Sequence, residues 1–213
     1  MEEEKIKLLI NKIKEKKLLN NINDLIIISE INKYFKIYPK EIEKIEKNSK
    51  NSIKKCVKFV RDKLRFSFEE YQIKKDYSKM SKEEILKSHK STNERYEYYN
   101  EVYSNIFKIT GKQFSVLDLG CGVNPLSFPY KNYKYYACDV GNKELEIVKD
   151  YFEKNKINGK VFVYDLKNIR KDLPKVDIVF LFKVIDVLEK NGHRLAEKII
   201  KSLNAKFVVI SFS

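Results

Sequence analysis

The chain has 213 residues, 43% of them hydrophobic, with 44 Lys and Arg against 30 Asp and Glu for a formal net charge of +14. That length buries a core without staples, and the spacing of Cys56, Cys121 and Cys138 suits neither a zinc site nor a disulfide framework, so a reducing compartment is expected. An acidic start, Met1-Glu2-Glu3-Glu4, and an early apolar run of only Leu25 to Ile28 exclude a signal or membrane span and imply a cytoplasmic protein, while the basic excess points to a polyanionic partner, nucleic acid first.

From Glu3 to about Phe68 there is no glycine and a single proline, Pro39. Apolar residues recur at helical spacing, as Ile6, Leu9, Ile10, Ile13 and Leu18, then Leu25, Ile28, Ile31 and Phe35. Ile53, Val57, Val60 and Leu64 form a further stripe, with Lys54, Lys55, Lys58, Arg61 and Lys63 over the rest of that helix. These basic residues either solvate the helix or face RNA phosphates. Two capping boxes follow, Ser81-x-x-Glu84 and Ser91-x-x-Glu94, the second starting a helix that carries Tyr96, Tyr99, Tyr103, Ile106 and Phe107. An N-terminal all-helical domain is expected over residues 1–80.

After Gly111 the texture changes to β-rich runs alternating with helical ones: Ser115 to Leu119, Tyr135 to Val140, Lys160 to Tyr164, Val176 to Phe182 and Ala205 to Phe212. Helices from about Lys143 to Asn155 and from about His193 to Leu203 supply crossovers. Residues 81–213 therefore read as an α/β domain with a parallel, Rossmann-like sheet.

The first strand runs into Asp118-Leu119-Gly120-Cys121-Gly122, where glycines let the backbone turn tightly and approach a ligand. Asp139, at the end of the next strand, stands where a carboxylate accepts from both hydroxyls of a ribose. A dinucleotide site would want a third glycine for its pyrophosphate, whereas Val123-Asn124-Pro125 follows here. The acid Asp118 just before the turn suits a cofactor with an amino-acid end and no phosphate, which is S-adenosylmethionine (AdoMet). Asp165 ends the third strand, where it accepts from an adenine amino group or caps a turn. Phe182 and Lys183 close the fourth strand at the carboxyl edge, where ligands of open α/β sheets bind; Lys183 is read either as a substrate-phosphate contact or as an exposed residue after a buried strand.

The strings His89-Lys90-Ser91-Thr92-Asn93-Glu94-Arg95, Ser115 to Gly122 with Asn124-Pro125-Leu126 and Pro129, Phe180-Leu181-Phe182-Lys183 with Val187-Leu188-Glu189, and Val208 to Phe212 resemble, in order, the aminoglycoside-resistance 16S ribosomal RNA methyltransferases of the Arm/Rmt group. The likeness covers about Ser81 to Ser213. It implies a class I AdoMet-dependent methyltransferase domain, and methyl transfer to N7 of a guanine in the decoding region of the 30S subunit by a monomer whose helical domain docks on 16S rRNA. It also implies that Arg95 pairs with the AdoMet carboxylate, that Gly120 and Gly122 line the methionine part, that Asp139 holds the ribose, that Asp165 and Leu166 meet the adenine, and that Cys121 and Phe182 belong to the same cofactor site. N7 of guanine has a free in-plane lone pair, so no catalytic base is expected, and His89 and His193 read as surface or capping residues. Members of that group continue beyond the strand at Val208 to Phe212, so a chain ending at Ser213 would lack the final strands. An AdoMet- or RNA-binding protein without catalysis, or a small-molecule methyltransferase, are the alternatives.

Overall fold

The computed structural model describes residues 1–68, 77, 79–130, 132–170, 172–188 and 194–212; Glu189, His193 and Ser213, used in the sequence reading, lie outside these. The chain divides into two compact units, Met1–Gln72 and Ile73–Ser213.

The first unit is helical, with α1 (Glu3–Lys14), α2 (Asp24–Ile37), α3 (Glu41–Glu46) and α4 (Lys50–Phe68). α4 packs against the other three. It contributes Ile53, Val57, Val60 and Leu64 to a core with Leu9, Ile10 and Ile13 of α1, so the expected stripe faces inward. The phase expected for α2 is corrected. Leu25 is 64% exposed and Ile26, Ile27 and Tyr34 are buried, while Ile31 and Phe35 are buried as expected. The run Leu25 to Ile28 is apolar at four successive positions, and periodicity alone does not choose among them. The cap does: Asn23 accepts from the Leu25 amide at 3.0 Å, which sets Leu25 in the solvent-facing first turn.

Arg61 also departs from the expected outward basic face. Its guanidinium reaches across to the end of α1, donating to the carbonyls of Lys12 and, at 3.3 Å, Ile13. The Ile13 carbonyl also accepts from the Lys16 amide at 3.4 Å, just beyond the helix end, so Arg61 adds to that local cap from another element.

The second unit opens with α5 (Lys82–Ser88), α6 (Lys90–Asn93) and α7 (Tyr99–Thr110). Tyr77 and Met80 pack with its core. Five parallel strands follow, β1 (Ser115–Leu119), β2 (Lys134–Asp139), β3 (Gly159–Val163), β4 (Val176–Phe182) and β5 (Ala205–Ser211), in the order β3-β2-β1-β4-β5. α8 (Asn142–Lys154) connects β2 to β3, while α9 (Ile185–Leu188) and α10 (Arg194–Ser202) lie between β4 and β5. One face of the sheet, with Val116, Tyr135, Ile178 and Phe180, is covered by Leu86, Tyr103, Val148 and Phe152 from α5, α7 and α8. The other, with Leu117, Cys138, Val179 and Leu181, is covered by Ile185, Ala196 and Ile199 from α9 and α10. This is the doubly wound arrangement expected, and strands buried on both faces explain the continuous apolar run of Ile178 to Phe182.

β1 pairs with β2 on one side and β4 on the other. The strand order reverses at β1, so the carboxyl ends of β1 and β4 frame the crevice where such sheets bind ligands. At the opposite end Asp177 fixes the start of β1: its Oδ2 accepts from the amides of Phe114 and Ser115 and from the Ser115 hydroxyl, each at 3.0 Å, while Lys206 pairs with Oδ1 at 2.7 Å.

Candidate cofactor site

β1 ends in a turn whose shape requires its glycines. Gly120 and Gly122 have φ of +67° and +49°, the left-handed region that side chains disfavour. Space is tight as well, since a Cβ on Gly120 would come within 2.8 Å of Val184 Cγ2 and force a shift, and one on Gly122 would press on the His89 ring at 3.0 Å. The turn is tied to β2 by the amides of Gly120 and Cys121, both donating to the Cys138 carbonyl at 2.9 Å. His89 is not the surface residue offered as one alternative, though it does stand at the N-cap position of α6. It is buried against Gly122, and its side chain makes no capping hydrogen bond to α6.

Asp139 sits at the carboxyl end of β2, with Oδ2 accepting from the Gly122 amide at 2.8 Å and Oδ1 from the amides of Val140 and Gly141 at 2.6 and 3.2 Å. Those bonds hold the carboxylate rigidly against the turn. Two carboxylate oxygens offer about four acceptor positions, so capacity remains for a hydroxyl donor. The Tyr164 amide donates to the Asp139 carbonyl at 3.0 Å, which brings the end of β3 alongside. There Asp165 accepts from the Lys167 amide at 2.9 Å and from the Asn168 side chain, so its carboxylate does cap its own turn. Leu166 is buried, and its Cδ1 lies 3.8 Å from the position a Gly120 Cβ would take. Gly120, Gly122, Asp139 and Leu166 are thus brought together, with Asp165 at the end of the adjacent strand.

Beneath the turn lies a buried polar network that sequence reasoning missed. Asp118 is 1% exposed, and its Oδ2 accepts from Asn124 Nδ2 at 2.8 Å and from the Tyr135 hydroxyl at 2.9 Å. The Tyr103 hydroxyl bonds Ser127 Oγ at 3.0 Å and donates to Asn124 Oδ1 at 3.3 Å. Burial pushes Asp118 up to about 6; the Asn124 and Tyr135 bonds and the Arg95 charge restrain the rise, and Asp139 adds to it. The signal available was Asn124-Pro125. Pro125 belongs to a single 3-10 turn, Asn124–Ser127, that aims the Asn124 side chain at Asp118.

Arg95 approaches from the stretch before α7, its guanidinium carbon 5.0 Å from the centre of the Phe182 ring, which stacks in turn on Phe180 at 4.8 Å. Nε and Nη1 of Arg95 are sealed from water and have no hydrogen-bond partner among the described residues. Charged donors left in that state cost free energy and call for an anion.

The second expected capping box does not form. Ser91 lies inside α6, and Glu94 is the residue closing it. The Glu94 carboxylate is instead spent on Lys183, which pairs with it closely. Lys183 is not the exposed residue offered as one alternative, because its side chain is 11% exposed. The helix expected to begin at Ser91 starts at Tyr99, after a 3-10 turn at Tyr96–Tyr98. The first box, Ser81 with Glu84, forms in both directions at 3.2 and 2.7 Å.

The Cys121 and Cys138 thiols are buried, which raises both well above the ordinary value, so they stay neutral and are poor nucleophiles. No cluster of His, Cys, Asp or Glu among the described residues could hold a metal ion. No described helix is long and apolar enough to cross a membrane.

Comparison with known proteins places this geometry. A 16S rRNA (guanine(1405)-N(7))-methyltransferase of Proteus mirabilis is 29% identical over 133 residues, 60% of this chain and 47% of that protein. The chain thus spans about half the length of the curated relatives it matches. A solved structure of the 16S rRNA methylase RmtB superposes with a TM-score of 0.77 at 19% identity, over 97% of this chain and 83% of the other. The 16S rRNA methyltransferase RmtF, in complex with S-adenosyl-L-homocysteine, gives 0.73 at 20% identity, over 100% and 82%. At those identities the superpositions establish the fold, a class I methyltransferase sheet carrying an N-terminal helical unit. The family model described as Ribosomal RNA methyltransferase (FmrO) matches residues 75–213, a stretch that holds Arg95, the glycine turn, Asp139 and every strand of the sheet, and the chain belongs to that family.

Proposed function

We propose that the chain transfers a methyl group from AdoMet to N7 of a guanine in 16S rRNA of the 30S subunit, acting as a cytoplasmic monomer. The observation that carries this reading is the half-buried Arg95 guanidinium over the Phe182 ring, its Nε and Nη1 sealed from water with no partner among the described residues, together with a glycine turn whose neighbouring strand ends hold Asp139 and Asp165. Arg95 would take a carboxylate and Asp118 an ammonium. Gly120, Cys121 and Gly122 admit a close backbone approach, Asp139 accepts from a ribose, Asp165 and Leu166 border the adenine side, and Phe182 lies under the Arg95 guanidinium. AdoMet supplies a methyl group on a sulfonium centre.

Guanine N7 brings its own lone pair, so this chain's residues need only align the acceptor, exclude water and tolerate a cationic product. Neutral Cys121 and Cys138 fit that requirement and do not fit transfer through a thiolate. Lys183 could meet an RNA phosphate only by exchanging Glu94 for it. The helical unit Met1–Gln72 would dock on rRNA, its candidates being Lys54, Lys55, Lys58 and Lys63, because Arg61 is engaged with α1.

The test is incorporation of labelled methyl from AdoMet into 30S subunits, with Asp139→Ala as control. The expected result is transfer that the substitution abolishes. AdoHcy binding without transfer to 30S subunits or naked rRNA would overturn the assignment and leave a module that binds without catalysing.

A further inference from the structure

Tyr99 opens α7 with a buried hydroxyl that nothing in the proposed chemistry uses. The residue is 7% exposed and stacks on Tyr103, the ring centres 5.9 Å apart and the planes within 10° of parallel. Its Oη is sealed from water and makes no hydrogen bond among the described residues. Burial raises its pKa, and Arg95 and Ser127 lie near enough to draw it back without reaching hydrogen-bond geometry. The ring has little freedom to turn away, because Tyr103 beneath it is fixed by Asn124 and Ser127.

Three unsatisfied donors therefore stand together: Tyr99 Oη, Arg95 Nε and Arg95 Nη1. Two adjacent oxygens of one anion would satisfy them. The Asp118 carboxyl is close enough for its charge to act on Tyr103 and Tyr99 and to feel that of Arg95. A ligand that is only anionic would be repelled once Asp118 ionises, whereas one with an ammonium beside its carboxylate satisfies both sides.

We propose that the Tyr99 hydroxyl donates a hydrogen bond to the carboxylate of the cofactor's methionine end alongside Arg95, making the pocket selective for a zwitterionic amino-acid terminus. This rests on the AdoMet reading above. Tyr99 is then a binding residue, and its orphaned hydroxyl in the free protein is a preorganised half of that bond.

Calorimetric titration of wild type and Tyr99→Phe with AdoHcy and with 5′-deoxy-5′-methylthioadenosine, which lacks the amino-acid end, separates the possibilities. Tyr99→Phe is expected to weaken AdoHcy binding roughly 10-fold or more, the value of a hydrogen bond to a charged group, and to leave methylthioadenosine binding unchanged. Its thermal midpoint should equal or exceed that of wild type, since the free protein loses no bond. An AdoHcy affinity within about twofold of wild type, or an equal loss for both ligands, would overturn the proposal. If wild type binds neither ligand, the AdoMet reading falls and takes the proposal with it.

Discussion

Asp118 gives the cofactor turn a pH dependence that one other carboxylate, Asp177, helps to isolate. In an unfolded chain it titrates near 3.8 and in the folded one near 6, because burial outweighs its bonds to Asn124 and Tyr135. Between those values the native state keeps a proton that the unfolded state has lost. Its favourable contribution is full below 3.8 and disappears as pH rises through 6, leaving a penalty on the order of 3 kcal/mol at neutral pH. Asp177 runs the other way. Lys206 and the Phe114 amide hold it down to about 2, so its stabilisation is present above 3.8 and lost as pH falls through 2. The windows do not overlap. Denaturant unfolding of wild type between about pH 4 and pH 8 should lose stability with rising pH in the window assigned to Asp118, and Asp118→Asn should flatten that slope and be the more stable protein at the alkaline end. Parallel curves for the two would refute the assignment. Arg95→Met supplies a second check. It removes two unpaired buried donors, so it should hold or raise the thermal midpoint while weakening AdoHcy by roughly 10-fold or more; a loss of both would mean that Arg95 is structural.

Elements are joined here by charges that local patterns do not reveal. Glu94 closes α6 and Lys183 follows β4 with a left-handed φ of +58°, so their ion pair ties the stretch carrying Arg95 to the strand end carrying Phe182. The partners are unequal, Lys183 at 11% exposure and Glu94 at 43%. Glu94→Gln leaves an ammonium buried with no counter-charge, whereas Lys183→Met fills the same volume and leaves a carboxylate that water already reaches. The first should cost about 1–2 kcal/mol after allowance for screening, and the second clearly less; thermal unfolding that ranked them in reverse would show that the pair does not stabilise the chain. Arg61→Ala should cost about 1 kcal/mol by removing its part of the cap of α1, with Arg61→Lys recovering some of it. These same contacts mark where sequence reading stopped. The strands and the glycine turn were legible because two-sided burial writes continuous apolar runs and a positive φ writes glycine. Ser91-x-x-Glu94 satisfies a local rule that lost to a lysine far along the chain, and Arg61 looked like one more surface cation because its acceptors are backbone carbonyls, which leave no mark in the side-chain pattern. The same blindness covers Asn124 and Tyr135, which close on the Asp118 carboxylate from two separate elements, and Tyr103, which reaches it only through Asn124.

Across the whole molecule, the net charge of +14 is not confined to one unit, since Lys and Arg exceed Asp and Glu on both sides of the division at Gln72 and Ile73. The proposed association with rRNA should therefore release counterions from contacts on both, and the affinity for 30S subunits that this proposal predicts should fall linearly with the logarithm of salt concentration. Cofactor binding has a different origin, a short-range fit of buried donors and acceptors, and should change little over the same salt range. The two properties can be separated by substitution. Lys54, Lys55 and Lys58 lie on α4 with no role in the core formed by Ile53, Val57, Val60 and Leu64. Reversing all three to Glu should weaken 30S binding by at least roughly 10-fold and make its salt slope shallower, while AdoHcy affinity stays at the wild-type value. A triple variant that binds 30S subunits like wild type, at every salt concentration, would remove this face of α4 from the RNA contact and place the electrostatic footprint on the sheet unit alone.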